Sequence, residues 1–271
     1  MNPETKSARV QYKKPPIIER VLRVVGDIAP ESFFAKFEAW REAIQPSFPD
    51  YEPLKDWRLN IEVKDGVPVF TDALPQVIIT HHFSRKSPQG KKLLSMRIMP
   101  NEIALHLHRD PEKPHYFEEL FTEAETLVPQ WFTHFGVKAS SSVALDYINL
   151  LSPATTPSFV RANGILVSSM LTVFSGVPSQ HYGIIPPYDC QMGLMIDPQR
   201  PATFSLRVLG LITPQQHGPA IRVDFHSEVT KDSPRMSAQQ VLAETQFLHT
   251  VIVDQFESLF TKEAKQTFEP I

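Results

Sequence analysis

Residues 76–108 read QVIITHHFSRKSPQGKKLLSMRIMPNEIALHLH, and this stretch decides the fold class. Three strand-like runs, 76–83, 92–99 and 102–108, are separated by a basic loop and by a Pro-Asn turn. Short runs joined this tightly form consecutive antiparallel strands. In the last run Ile103, Leu105 and Leu107 take one face, so His106 and His108 take the other. The same alternation sends Leu94, Met96 and Ile98 inward and Ser95 and Arg97 outward. In the first run Val77, Ile79 and Phe83 favour the core, which buries His81 and exposes His82. A meander of the three therefore gathers His82, Ser95, Arg97, His106 and His108 on one face.

On either side of this meander the two periodicities alternate. IIERVLRVV (17–25) reads as a first strand, and Pro30 suits the first turn of a helix over 31–45 carrying Phe33, Phe37, Trp40 and Ile44. Trp57, Leu59, Ile61 and Val63 alternate with polar residues as a strand, followed by an Asp65-Gly66 turn. Asp110 and Pro111 stop the meander, and a helix over 115–135 follows, with Phe117, Leu120, Phe121, Ala124, Val128, Trp131 and Phe135 at helical spacing and Gly136 as its C-cap. Residues 143–151 return as a strand. SPATTPS (152–158) is the candidate boundary between an N-terminal α+β half, 1–151, and a C-terminal α+β half, 152–271. Apolar segments near 164–174, 191–196, 203–212 and 220–229 read as strands. A helix over 237–265 closes the chain, started by a Ser237/Gln240 capping box and striped by Val241, Thr245, Leu248, Ile252, Phe256 and Leu259. Strands leading into a long helix occur in both halves. The fold class is α+β: antiparallel sheets with amphipathic helices; a degenerate duplication into two similar βα halves stays open, since no residue-level repeat supports it.

Composition excludes more than it assigns. The chain has 271 residues, 42% hydrophobic and 21% charged, which is ordinary globular usage. No apolar run approaches the roughly 18–20 residues of a membrane helix, and the polar start lacks a secretory h-region. The single Cys190 forms no internal disulfide or cysteine-rich metal site, so a reducing, cytoplasmic compartment is expected. A net charge of −3 argues against a general nucleic-acid binder. There are 25 Pro against 10 Gly, so loops such as FPDYEP and IIPPYD read as pinned. The scarce glycines leave no dinucleotide-binding loop, P-loop or nucleophile elbow, and neither H-E-x-x-H nor an EF-hand loop occurs.

Tyr12-Lys13-Lys14-Pro15-Pro16-Ile17-Ile18-Glu19 resembles the opening of a sporadically distributed family of uncharacterised bacterial proteins, which begin with Tyr-x-x-Pro-Pro-Ile-x-Glu before a strand. Asp146-Tyr147-Ile148-Asn149, Leu248-His249 and Phe256-Glu257 are similar to later segments of that family. Leu150 stands where the family pattern has Arg, so that basic position does not carry over. The resemblance implies no activity. Physically, two prolines before a strand fix an extended approach, on which Tyr12 can pack.

Candidate chemistry is confined to polar strand faces. His82, Arg97, His106 and His108 form the candidate binding face, suited to an anion or a protein partner and opposed by the plain reading of a half-polar sheet face, solvated or covered by the other half. Metal is not expected there: strands flanking a third lie about 9.6 Å apart, and an arginine between them repels a cation. No cofactor is expected. Arg222, Asp224, His226 and Glu228 share a second polar face, where Asp224 stands two residues from His226 as a possible orienting partner for general-base work. The hairpin 85–92, with Arg85, Lys86, Lys91 and Lys92, is the candidate phosphate contact, opposed by the ordinary role of lysines at hairpin tips. The leading expectation is a non-catalytic binding or accessory protein acting through a sheet face or an inter-half groove. The alternatives are a small-molecule enzyme with unconventional acid–base residues and a nucleic-acid binder using 85–92.

Overall fold

The computed structural model describes residues 12–58, 61–64, 67–70, 76–110, 116–152, 156, 159–161, 164–165, 167–174, 188–197, 200–213, 218–232 and 235–270. The first strands are β1 (Ile17–Gly26), β2 (Asp50–Arg58), β3 (Ile61–Lys64), β4 (Val67–Phe70), β5 (Gln76–Lys86), β6 (Lys92–Met99) and β7 (Glu102–His108). Then come β8 (Ser140–Leu151), β9 (Val160–Arg161), β10 (Gly164–Ile165), β11 (Tyr188–Asp197), β12 (Arg200–Thr213) and β13 (Gly218–Thr230). The helices are α1 (Pro30–Ile44), α2 (Phe117–Phe135), α3 (Val167–Met170), α4 (Ala238–Leu259) and α5 (Lys262–Thr267).

Nine strands form one antiparallel sheet in the order β11-β12-β13-β8-β1-β7-β6-β5-β2, and helices pack against it, so the fold is α+β as expected. Counted outward from β1, the order is first strand, then β7, β6 and β5; counted outward from β8, it is first strand, then β13, β12 and β11. The two series meet where β1 pairs with β8, with Arg20 opposite Tyr147 and Leu22 opposite Leu145. A long helix follows each series: α2 after β7 and α4 after β13.

Side-chain alternation gives this sheet two unlike faces. On one, Leu22, Val24, Phe83, Met96, Leu105, Leu145, Phe204, Val223 and Phe225 are buried in a single core cluster with the helices. The α1 stripe Phe33, Phe37, Trp40 and Ile44 is buried, and so are Leu120, Ala124, Val128, Trp131 and Phe135 of α2. Gly136 caps α2 in the left-handed conformation at φ 70°, as its position predicted. Gly26 is needed for another reason. A Cβ there would lie 2.6 Å from Cη2 of Trp131, so only hydrogen fits between the end of β1 and α2. The predicted capping box is formed, with Gln240 N–H donating to Ser237 Oγ and Ser237 N–H donating to Gln240 Oε1. No helix among the described residues is long and apolar enough to cross a membrane.

Four expectations need correction. The Pro-rich segment at 48–53 is not wholly loop: Asp50–Arg58 is an edge strand containing Pro53, whose missing N–H an edge tolerates. The strand expected from Trp57 to Val63 is divided between β2 and β3; the Asp65-Gly66 turn lies outside the described residues, between Lys64 and Val67, which are opposite each other. Residues 164–174 hold not one strand but β10, α3 and a 3-10 turn at Thr172–Phe174, because a short apolar run does not separate strand from helix by period. The closing helix is two. Phe260 is extended and buried against Phe256 and Phe268, and Thr261 starts α5 by accepting from Ala264 N–H.

Candidate binding site

The expected polar face exists. The register places His82 opposite Arg97 and Ser95 opposite His106, so these residues and His108 share one side of β5, β6 and β7. His81, on the other side, is buried: Tyr51 Oη lies 2.9 Å from its Nδ1, Phe37 lies 3.8 Å away between ring centroids, and burial lowers its pKa. What the sequence reading missed is Glu19. β1 lies beside β7, and Glu19 Oε1 is 2.8 Å from His106 Nδ1 and 3.6 Å from His108 Nδ1. Burial pushes the Glu19 carboxyl up, but His106, His108 and Arg222 outweigh it and the net shift is downward. His108 Nε2 meets Ser95 Oγ at 2.9 Å, and Arg97 donates to Glu102 at 3.3 Å. Glu19 and Ser95 thus hold His106 and His108, and Glu102 holds Arg97, while His106 Nε2 and Arg97 Nε have no hydrogen-bond partner among the described residues. His82 stands at the margin, its pKa lowered by burial and by Lys92 and His106. Among the described residues no group of three or more His, Cys, Asp and Glu side chains is arranged to hold a metal ion.

The second polar face lies on the same side of the sheet, but its histidine has a different partner from the one expected. His226 Nδ1 is 2.6 Å from Asp146 Oδ1 on β8, and its Nε2 is 3.5 Å from Glu228. Asp224 instead accepts from Arg222 Nε at 2.8 Å. Hydrogen bonds to Asp146 and Glu228 push the His226 pKa up to about 9 despite burial. An imidazole already protonated at neutral pH is a poor general base. At the basic hairpin, Arg85 pairs with Glu123 at 2.6 Å and Lys86 with Asp50 at 3.1 Å, which halves the charge free for phosphates.

A different place offers an open site. Between the first turns of α2 and the middle of α4 lies a groove of about 610 Å³ on the helix-covered side. Its floor is Ile17, Arg20 and Tyr147, from the central strand pair; Phe117, Phe121, Val253 and Phe256 wall it, and Tyr12 lines it from the N-terminal segment. Tyr12 is fixed by donating to Glu257 at 2.8 Å, and Lys265 reaches the other oxygen of Glu257 at 3.1 Å. His249 stacks on Phe117 with ring centroids 3.9 Å apart and meets the Tyr147 hydroxyl at 2.7 Å. Burial pushes the Tyr147 pKa up to about 12 against the pull of Arg20, so this hydroxyl is a hydrogen-bonding group and not a proton acceptor. Tyr12, Pro15, Ile17, Tyr147, His249, Phe256 and Glu257 line this space, while Glu19 and Asp146 lie on the other face of the sheet with His106 and His226.

Arg20 is the unusual member. It is 8% exposed, its guanidinium lies 5.0 Å from the Tyr147 ring centroid, and it makes no ion pair among the described residues. Its Nε has no hydrogen-bond acceptor there. Burying an ion costs several kcal/mol, of which a desolvated cation–π contact returns only about 2 kcal/mol. Sequence alternation alone could have placed Arg20 on the same face as Leu22 and Val24. That it opens onto a groove depends on where α2 and α4 sit. The chain matches no family model and no curated protein.

Proposed function

We propose that this chain is a non-catalytic binding or accessory protein whose ligand lies in the groove between α2 and α4. The observation that carries this reading is the groove's construction from both long helices over the central strand pair, at about 610 Å³. Spaces of about 300–1,000 Å³ with aromatic walls and few polar groups are the usual form of small-molecule sites. Two further observations support binding over chemistry. The groove's tyrosine titrates far above neutrality, and the strand-face histidine of the enzyme alternative is held protonated by its carboxylates.

The test is a groove-filling variant. Val253 is half-buried on α4 and lines the space, so Val253→Trp closes it without touching the sheet core. The neutral fluorophore N-phenyl-1-naphthylamine is expected to bind wild type at one site per chain, and Val253→Trp is expected to lose that site while keeping its melting temperature. Equal uptake by both proteins, or none by wild type, overturns the reading.

A further inference from the structure

We propose that the groove selects a monoanionic amphiphile, an organic carboxylate or sulfonate with an aromatic or aliphatic body, its anion held by Arg20 at the floor. This rests on the groove being the working site. Arg20 is more than nine-tenths buried and lines the groove, yet finds no carboxylate among the described residues. Its guanidinium is held over the Tyr147 ring, 5.0 Å from the centroid. A buried guanidinium facing a ligand-sized space is a fixed donor fork for an oxyanion.

A second feature points the same way. α2 begins at this groove, with Tyr116, Phe117 and Glu118 among its lining, and its N-cap Tyr116 provides no side-chain cap. The first turn of a 19-residue helix thus borders the site with the positive end of the helix dipole. The charge count limits the ligand. One arginine serves the floor, while Glu118 and Glu257 also line the space and Lys265 is engaged by Glu257. Among the described residues Arg20 is the one cation there without a carboxylate partner, so no more than a single negative charge is accommodated, and a polyphosphate would meet those carboxylates. Phe121, Val253 and Phe256 leave an apolar wall for the rest of the molecule.

The experiment compares two fluorophores that differ by one sulfonate, 8-anilinonaphthalene-1-sulfonate and N-phenyl-1-naphthylamine, on wild type, Arg20→Met, Arg20→Lys and Val253→Trp. In wild type the sulfonate is expected to bind about tenfold tighter or more, the worth of one charge-assisted hydrogen bond. Arg20→Met is expected to erase that preference while still binding the neutral probe, Arg20→Lys to keep part of it, and Val253→Trp to lose both probes. Decanoate is expected to displace the sulfonate, and vesicles of phosphatidylglycerol are not; capture by vesicles would move the anion to a lipid headgroup and overturn the free-acid assignment. Equal affinity of the two probes in wild type, or a preference surviving in Arg20→Met, overturns anion selection and leaves the groove reading standing. If Val253→Trp binds both as wild type does, the groove reading falls too.

Discussion

The two faces of the sheet treat polar groups in opposite ways. On the side of β13, β8, β1 and β7 away from the long helices, ionisable side chains cluster as pairs of opposite charge, His226 with Asp146 and Glu228 and His106 and His108 with Glu19, although His106 Nε2 has no hydrogen-bond partner among the described residues. On the helix side almost everything is apolar, and the one buried cation, Arg20, lacks an anionic partner among the described residues. Carboxylates beside imidazoles balance their charge locally, whereas a buried cation with no carboxylate partner, lining a cavity, is a candidate for holding a ligand. The richer cluster of candidate groups is therefore the weaker functional candidate.

The sharpest way to break this comparison uses two neighbours on β13. Phe225 is fully buried against Phe204, Phe256 and Phe260, while His226 points to the other face. Phe225→Ala is expected to cost about 3–5 kcal/mol, and His226→Ala far less. Chemical denaturation measures both; similar losses would mean that the polar face is as structural as the core. Next in size is Gly26→Ala, whose new methyl meets Trp131 at 2.6 Å and Val137 at 2.9 Å. Overpacking of this kind is expected to cost about 1–3 kcal/mol, and an unchanged melting temperature would show that the close approach of α2 to β1 is adjustable.

The smallest effect is a pH profile. The folded pKa of His226 is raised from 6.5 to about 9, so its stabilising share is complete below pH 6.5 and fades as pH rises through about 9. Glu228 is lowered from 4.5 to about 2, chiefly by its hydrogen bond to His226, so its share is complete above pH 4.5 and fades as pH falls through about 2. The pair thus contributes most between pH 4.5 and 6.5. With both side chains a quarter to a third exposed, solvent screening holds the total to about 1 kcal/mol. Melting temperature is expected to fall between pH 6.5 and 9 more steeply in wild type than in His226→Ala. Parallel slopes would remove this network from the stability of the polar face.

Much of this was present in the sequence itself. Period-two alternation placed His81 in the core and His82, Ser95, Arg97, His106 and His108 together on the other side, because strand side chains alternate whatever the strand's neighbours are. Ile79, expected in the core with His81, is instead exposed where β5 runs beyond the cover of the helices. Helical spacing identified the buried stripes of α1, α2 and α4, and short-range capping fixed where α4 starts. These are local properties, set within a few residues. Where local signals were mixed, the chain was misread: Pro53 sits in an edge strand, 164–174 is not one strand, and Phe260 and Thr261 divide the last helix.

What only the tertiary structure decided is which strands became neighbours. Asp146 reaches His226 across 80 residues and Glu19 reaches His106 across 87, and no spacing in the sequence announces either pair. The pairing of β1 with β8 put Arg20 against Tyr147, and the placement of α2 and α4 over that pair left it facing an open groove. Alternation says which side of a strand a residue takes. Only the order of strands and the seating of helices, settled by burying both apolar stripes at once, says whether that side is filled, solvated or left as a site.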